Sequence, residues 1–210
     1  MLPKYNTGLT ADKSGVYGGF GDYQGIDLFI RKDGEFTLFW YAPEGRYYIA
    51  HAMPDDKDFI IYTTRGGTFA DPASREEYPI GEGSIDMDGG AFYYMTEEHG
   101  RGSFAFTQKY LSSEGGAYFQ PDKVGSGFSI KRFGATTSCY WYTYLDGKQQ
   151  WFLCSGDPNA MTIWRFDECR INYPGGVEVE CGSAILDHET MHFKYDIGGL
   201  KGFQDLVRVF

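Results

Sequence analysis

Cys139-Tyr140-Trp141-Tyr142-Thr143-Tyr144-Leu145-Asp146-Gly147-Lys148-Gln149-Gln150-Trp151-Phe152-Leu153-Cys154 places two aromatic-rich runs on either side of an Asp-Gly pair. Aromatic and Thr residues favour extended chain, and Asp-Gly between two such runs is a strong signal for a two-residue hairpin turn. A turn at Asp146-Gly147 sets the register: Tyr142 faces Trp151, Trp141 faces Phe152 and Cys139 faces Cys154. The two thiols are then cross-strand neighbours, open to a disulfide or to life as two buried free thiols. The hydrogen-bonded position at which this count puts them is the less favourable one for a bridge. Cys169 and Cys181 form a second pair whose state the sequence leaves open.

Moving outward from the hairpin, the same signals recur about 100 residues upstream. Trp40-Tyr41 anticipates Trp141-Tyr142, and Gly15-Val16-Tyr17 anticipates Gly116-Ala117-Tyr118. Gln24-Gly25-Ile26-Asp27-Leu28 matches Ser126-Gly127-Phe128-Ser129-Ile130 with a one-residue shift, which a loop absorbs at little cost. Further on, Gly83-Ser84-Ile85 aligns with Gly182-Ser183-Ala184, Asp88 with Asp187, Phe104 with Phe203 and Lys109 with Arg208. Matches that keep one order over half a chain indicate internal duplication, with repeats at 1–111 and 112–210.

Within a repeat the apolar residues alternate, as in Ile26, Leu28 and Ile30, which marks half-buried strands. Strands are predicted near 15–18, 25–32, 35–41, 46–53, 59–64, 83–87, 91–96 and 102–109, and Arg65 to Glu82 reads as a long loop. Consecutive strands joined by tight turns imply an all-β chain of two antiparallel meanders. Small up-and-down barrels, which leave no exposed edge, are the expected form, with sandwiches as the alternative.

Composition narrows the partners. A formal charge of −10 with no basic run repels a phosphate backbone, so neither nucleic acid nor an anionic membrane is expected. No apolar stretch is long enough to span a bilayer, and Met1 to Asn6 lacks the apolar core of a signal peptide. The expectation is a chain that is not exported unless a leader has been removed, which leaves the compartment undetermined.

Several motifs invite chemistry. His188-Glu189-Thr190-Met191-His192 fits the zinc-protease pattern H-E-x-x-H, but that chemistry needs a helix, and the repeat places a hairpin turn there. Asp86-Met87-Asp88-Gly89 resembles the start of a calcium loop, yet Phe92, Tyr93 and Tyr94 occupy the later ligand positions. Gly18-Gly19-Phe20-Gly21 lacks the Lys-Ser/Thr of a nucleotide loop, and Gly125-Ser126-Gly127 only partly resembles a nucleophile elbow. No metal and no cofactor is therefore expected. What remains are charges set inside aromatic strands: Asp27, Arg31, Lys131 and Arg165. If these point into a barrel, Asp27 with Tyr41 forms an acid-base pair or orients a polar ligand; if the apolar neighbours hold the inner face, they face water.

The motifs around Trp141 to Tyr144, Gly147 and Trp151, with Gly127-Phe128, Tyr195, Gly199 and Arg208, resemble a group of uncharacterised bacterial tandem β-domain proteins. Their pattern runs S-G-x-W-Y, G-x-G-F, W-Y-T-Y, G-x-x-x-W, and the first repeat carries part of it in Ser14-Gly15, Gly25-Ile26, Trp40-Tyr41 and Gly45. The resemblance implies a β fold and no particular activity; members of the group are commonly exported. A looser likeness is to lipocalins and other calycins, with Gly15-x-Tyr17 and Lys109, or Gly116-x-Tyr118 and Arg208, in the roles of the first-strand G-x-W and the late Arg. That likeness implies a barrel with a ligand cavity at its mouth.

Three function classes follow. The first is a binding protein for a small apolar or neutral polar ligand, using Asp27, Arg31, Trp40, Tyr41, Lys131, Trp141, Tyr142, Trp151 and Arg165. The second is a barrel enzyme, a lyase, isomerase or cyclase, working through a buried acid-base pair drawn from Asp27 and Tyr41. The third is a protein-protein interaction module. Oligomeric state is open in all three.

Overall fold

The computed structural model describes residues 6–19, 24–42, 45–53, 56, 58–65, 76–110, 114–121, 126–145, 148–167 and 177–208. Among these the chain is all-β apart from a single 3-10 turn at Ala11–Lys13, and no helix is long and apolar enough to cross a membrane.

The first repeat contains β1 (Asn6–Thr7), β2 (Gly15–Gly19), β3 (Gly25–Ile30), β4 (Phe36–Tyr41), β5 (Tyr47–Ala52), β6 (Phe59–Arg65), β7 (Glu76–Asp86), β8 (Ala91–Thr96) and β9 (Gly100–Tyr110). Each strand from β2 to β9 pairs antiparallel with the next, and β9 returns to β2, so eight strands close an up-and-down barrel. β1 adds a short parallel pairing where β7 runs beyond β6.

The second repeat contains β10 (Glu114–Phe119), β11 (Gly127–Phe133), β12 (Thr136–Leu145), β13 (Lys148–Asp157), β14 (Ala160–Asp167), β15 (Val177–Asp187), β16 (His192–Ile197), β17 (Leu200–Asp205) and β18 (Val207–Arg208). Its last strand bends at Leu206: β17 pairs with β16 and β18 with β10, closing a second barrel through the continuity of the chain. The Arg208 guanidinium seals this closure by donating to the Gly115 carbonyl at 2.8 Å.

Eight strands enclose a lumen just wide enough for side chains to fill. In the first barrel Trp40 is fully buried, with the rings of Tyr94, Tyr48, Phe92 and Phe104 at 4.6, 4.9, 5.3 and 6.5 Å. In the second, Trp141 is equally buried and packs on Tyr195, Phe193, Phe128 and Phe152 at 4.8 to 5.6 Å, its Nε1 donating to Ser126 Oγ. The lumens are packed cores.

The expected hairpin register holds: Tyr142 faces Trp151, Trp141 faces Phe152 and Cys139 faces Cys154. Cys139, Cys154 and Cys181 are free thiols, and Cys169 lies outside the described residues. The expected loop and the expected repeat alignment both need correction. The predicted loop at 65–82 is shorter, because β7 already starts at Glu76 and Arg65 pairs with it; residues 66–75 lie outside the described set. The repeat alignment also slips by two residues at β7, where the structure equates Asp86 with Asp187. Each carboxylate caps its hairpin turn: Asp86 Oδ1 accepts from the amides of Asp88 and Gly89, and Asp187 Oδ1 from those of Glu189 and Thr190. At the last strand, Arg208 pairs with Tyr118 as Gln108 pairs with Tyr17, so Gln108 rather than Lys109 is its counterpart. Likewise Gln204 faces Phe193 as Phe104 faces Phe92, which makes Gln204 the lumen residue and leaves Phe203 exposed.

A bulge recurs in both copies. Ile80 is looped out of the β6–β7 ladder and Cys181 out of the β14–β15 ladder, each followed by a glycine pressed against the next strand. Such a bulge bends the strand and helps a short sheet curl to closure.

Candidate functional site

Alternation along each strand sends odd-numbered side chains of β3 and β4 away from the lumen, yet Asp27, Phe29 and Tyr41 are buried. The second barrel covers them. Val16, Tyr41 and Tyr47 of the first barrel form one cluster with Tyr142, Trp151 and Phe166 of the second, flanked by Phe39, Ile49, Tyr140, Leu153 and Trp164.

The contacts across this face come in related pairs. Strand pairing equates Phe39 with Tyr140, Tyr41 with Tyr142 and Tyr47 with Trp151. Phe39 stacks on Tyr142 at 4.8 Å, and its counterpart contact, Tyr41 on Tyr140, lies at 5.3 Å. Tyr47 meets Tyr142 at 5.2 Å, and its counterpart, Tyr41 with Trp151, lies at 5.4 Å. The two barrels therefore pack about a pseudo-two-fold axis, as two subunits of a symmetric dimer do.

Near that axis sits a polar group of residues. Lys131 Nζ lies 3.5 Å from Asp27 Oδ1, with side-chain exposures of 5% and 0%, and also stands 4.7 Å from the centre of the Phe29 ring. Ser129 and Tyr142 are buried beside them, and neither carboxylate oxygen of Asp27, nor Ser129 Oγ, nor the Tyr142 hydroxyl has a hydrogen-bond partner among the described residues. Burial drives the Asp27 carboxyl above the usual carboxylate range, against the smaller opposing pull of Lys131 and Ser129. Burial likewise pushes the Tyr142 phenol well up, with the Asp27 charge adding to it.

The residues singled out in the sequence distribute as follows. Asp27, Lys131, Tyr41, Tyr142 and Trp151 meet at the inter-barrel face, and Trp151 Nε1 donates across it to the Ala42 carbonyl at 3.3 Å. Trp40 and Trp141 lie in separate lumens. Arg31 is at the surface, bound to Glu35 at 2.8 Å and Asp33 at 3.5 Å, and Arg165 is half-buried on β14. The Tyr41 hydroxyl donates to the Tyr17 carbonyl at 3.2 Å, and the ammonium group of Lys131 stands beside Asp27. The H-E-x-x-H string spans the turn after β15 and the first residue of β16, with His188 Nε2 at 2.9 Å from Thr137 Oγ1 and His192 Nδ1 at 2.5 Å from Asp205 Oδ1.

An open groove of about 480 Å³ lies where the rim of the first barrel meets β13, lined by Arg46, Thr63, Thr64, Arg65, Ile80, Glu97, Glu98, Lys148 and Gln149. Its floor is fixed by a network across the barrels: Thr63 Oγ1 donates to Gln149 Oε1 at 2.8 Å, Gln149 Nε2 donates to Thr64 Oγ1 at 2.8 Å, and Thr64 also bonds the Tyr144 hydroxyl. One wall is a second network in which Glu98 binds Arg46 and accepts from the Tyr48 hydroxyl at 3.0 Å, while His99 Nε2 lies 2.7 Å from the same hydroxyl. Burial, reinforced by Glu98, raises the Tyr48 phenol and keeps it a donor. Glu97 and Lys148 line the groove with no ion pair among the described residues. Sequence reasoning missed these residues because they come from five separate segments, none carrying a motif; the only signal was the polar start of β13, Lys148-Gln149-Gln150, after an aromatic strand.

No protein-family model, curated protein or solved structure matches the chain, so what it can do has to be read from this geometry.

Proposed function

We propose that the chain is a binding protein that holds a small neutral polar or zwitterionic molecule in the groove between the first barrel's rim and β13. One observation carries this reading: aromatic side chains fill both lumens, whereas the groove gathers donors and acceptors from both barrels around an accessible volume. Lys148 offers an ammonium group and Glu97 a carboxylate, and each suits one end of a zwitterion. The Gln149 amide is already committed to Thr63 and Thr64, so it shapes the floor without reaching for a ligand. An apolar ligand finds less support, since the apolar interiors are occupied by the protein's own rings.

Titration of the isotope-labelled protein with glycylglycine, glucose and decanoate, followed by NMR, tests the reading. Saturable shifts at Glu97, Lys148 and Thr63 with glycylglycine or glucose, weakened in Lys148→Ala, are expected. Silence at the groove with both polar probes, or decanoate shifting the lumen residues around Trp40 or Trp141, overturns it.

A further inference from the structure

The ring contacts of the inter-barrel face repeat about the axis, so by themselves they do not set which repeat meets which. At the centre the equivalent positions diverge: Asp27 corresponds to Ser129, and Phe29 to Lys131. We propose that Asp27 and Lys131 form a recognition pair that makes this face accept the unlike repeat and refuse a like one.

In the observed union, Asp27 meets Lys131 at 3.5 Å and Phe29 lies beneath the ammonium group at 4.7 Å. Joining two first-repeat faces puts a second phenyl ring where the lysine stands, leaving two carboxylates buried without a cation. Joining two second-repeat faces puts a second serine where the aspartate stands and brings two ammonium groups together near the axis. An unpaired buried charge is far more costly than a paired one, and like charges in apposition reject a partner strongly. Among the described residues neither Asp27 oxygen nor Ser129 Oγ has a hydrogen-bond partner, so discrimination accounts for the pair better than added stability does. The partner this surface fits is thus a β-barrel bearing an ammonium group opposite Asp27, which the second repeat of the same chain supplies.

The test exchanges the central residues in the full chain. One variant gives the first barrel the second's set (Asp27→Ser with Phe29→Lys), a second does the reverse (Ser129→Asp with Lys131→Phe), and a third combines all four substitutions. NMR contacts between Phe39 and Tyr142 and between Tyr41 and Trp151 report docking; contacts between Trp40 and Phe92 and between Trp141 and Phe193 report the integrity of each barrel. Both two-residue variants are expected to lose the docking contacts, and the four-residue exchange to regain them. Docking contacts that persist in the two-residue variants overturn the proposal. Should those variants lose their barrel contacts as well, the four-residue exchange decides: a docked fold supports the recognition pair, and failure to dock overturns it.

Discussion

Lys131 of the second barrel reaches Asp27 of the first at 3.5 Å, in a place where their side chains keep 5% and 0% of their exposure. Two charges so deeply buried lose their hydration, and their attraction offsets that loss only when further hydrogen bonds complete the geometry; among the described residues none reaches the Asp27 oxygens. Removing one partner strands the other. Lys131→Met or Asp27→Leu alone is therefore expected to lower unfolding stability by about 3–5 kcal/mol. The double substitution is expected to return close to wild type, since an apolar pair suits the surrounding rings. Urea denaturation of the three variants checks this; a double variant as unstable as the sum of the singles contradicts it.

The same burial gives a pH signature. The folded state holds the Asp27 carboxyl above its usual range, so between the ordinary aspartate pKa and that raised value the folded chain retains a proton that the unfolded chain has released. The associated stability is full below the unfolded pKa and is lost as pH rises through the folded one. Asp86 and Asp187 run the opposite way, because turn hydrogen bonds lower their carboxyls: their stability is present at neutral pH and lost as acid protonates them. Comparing wild type with Asp27→Asn isolates the buried group. From about pH 4 upward, stability of wild type minus that of the variant is expected to fall, and a flat or rising difference in thermal or urea midpoints contradicts this.

Most strands of the first barrel were legible because a lumen imposes alternation on the strands that line it, and Ile26, Leu28 and Ile30 display it plainly. The Cys139–Cys154 register was legible because a two-residue turn leaves one pairing. The environment of Asp27 was not. Alternation tells which face of a strand points inward, and says nothing about whether the other face meets water or a second barrel. The signal was present in Phe36-Thr37-Leu38-Phe39-Trp40-Tyr41, which is apolar on both faces, as strands covered on both sides are. The two-residue slip at β7 arose because Gly83-Ser84 resembles Gly182-Ser183, whereas the constraint that glycine satisfies lies at Gly81, invisible without the facing strand.

That constraint is itself testable. A Cβ on Gly81 would stand 2.0 Å from the Met95 carbonyl oxygen, and one on its counterpart Gly182 would stand 1.9 Å from that of Asp196. Both oxygens belong to the neighbouring strand's backbone, which moves only if the barrel deforms. Gly81→Ala and Gly182→Ala are each expected to destabilise by about 3 kcal/mol. Gly100→Ala is the control: its φ of +65° favours glycine, but a Cβ there meets nothing within 4 Å. Torsional strain alone predicts a loss of about 1 kcal/mol. Equal losses at Gly81 and Gly100 in chemical denaturation would remove the steric account.

Cys139 and Cys154 face each other inside the second barrel, and both are fully buried. Burial raises the Cys139 thiol well above its usual range, and the neighbouring sulfur of Cys154 adds to the rise, so its reactive thiolate is suppressed as well as covered. Access for a reagent then requires the β12–β13 hairpin to open, and that hairpin carries the Trp141 core on one face and the Tyr142 and Trp151 contacts with the first barrel on the other. Opening it dismantles both layers, which makes it a global event. In a Cys169→Ser, Cys181→Ser background, modification by an aromatic disulfide reagent is expected to level off, with rising reagent, at the unfolding rate measured by tryptophan fluorescence. Full denaturation without reductant should then release two thiols per chain. Rapid labelling of the native protein would place the hairpin in a separately opening unit, and release of no thiols would mean that the two sulfurs are bridged.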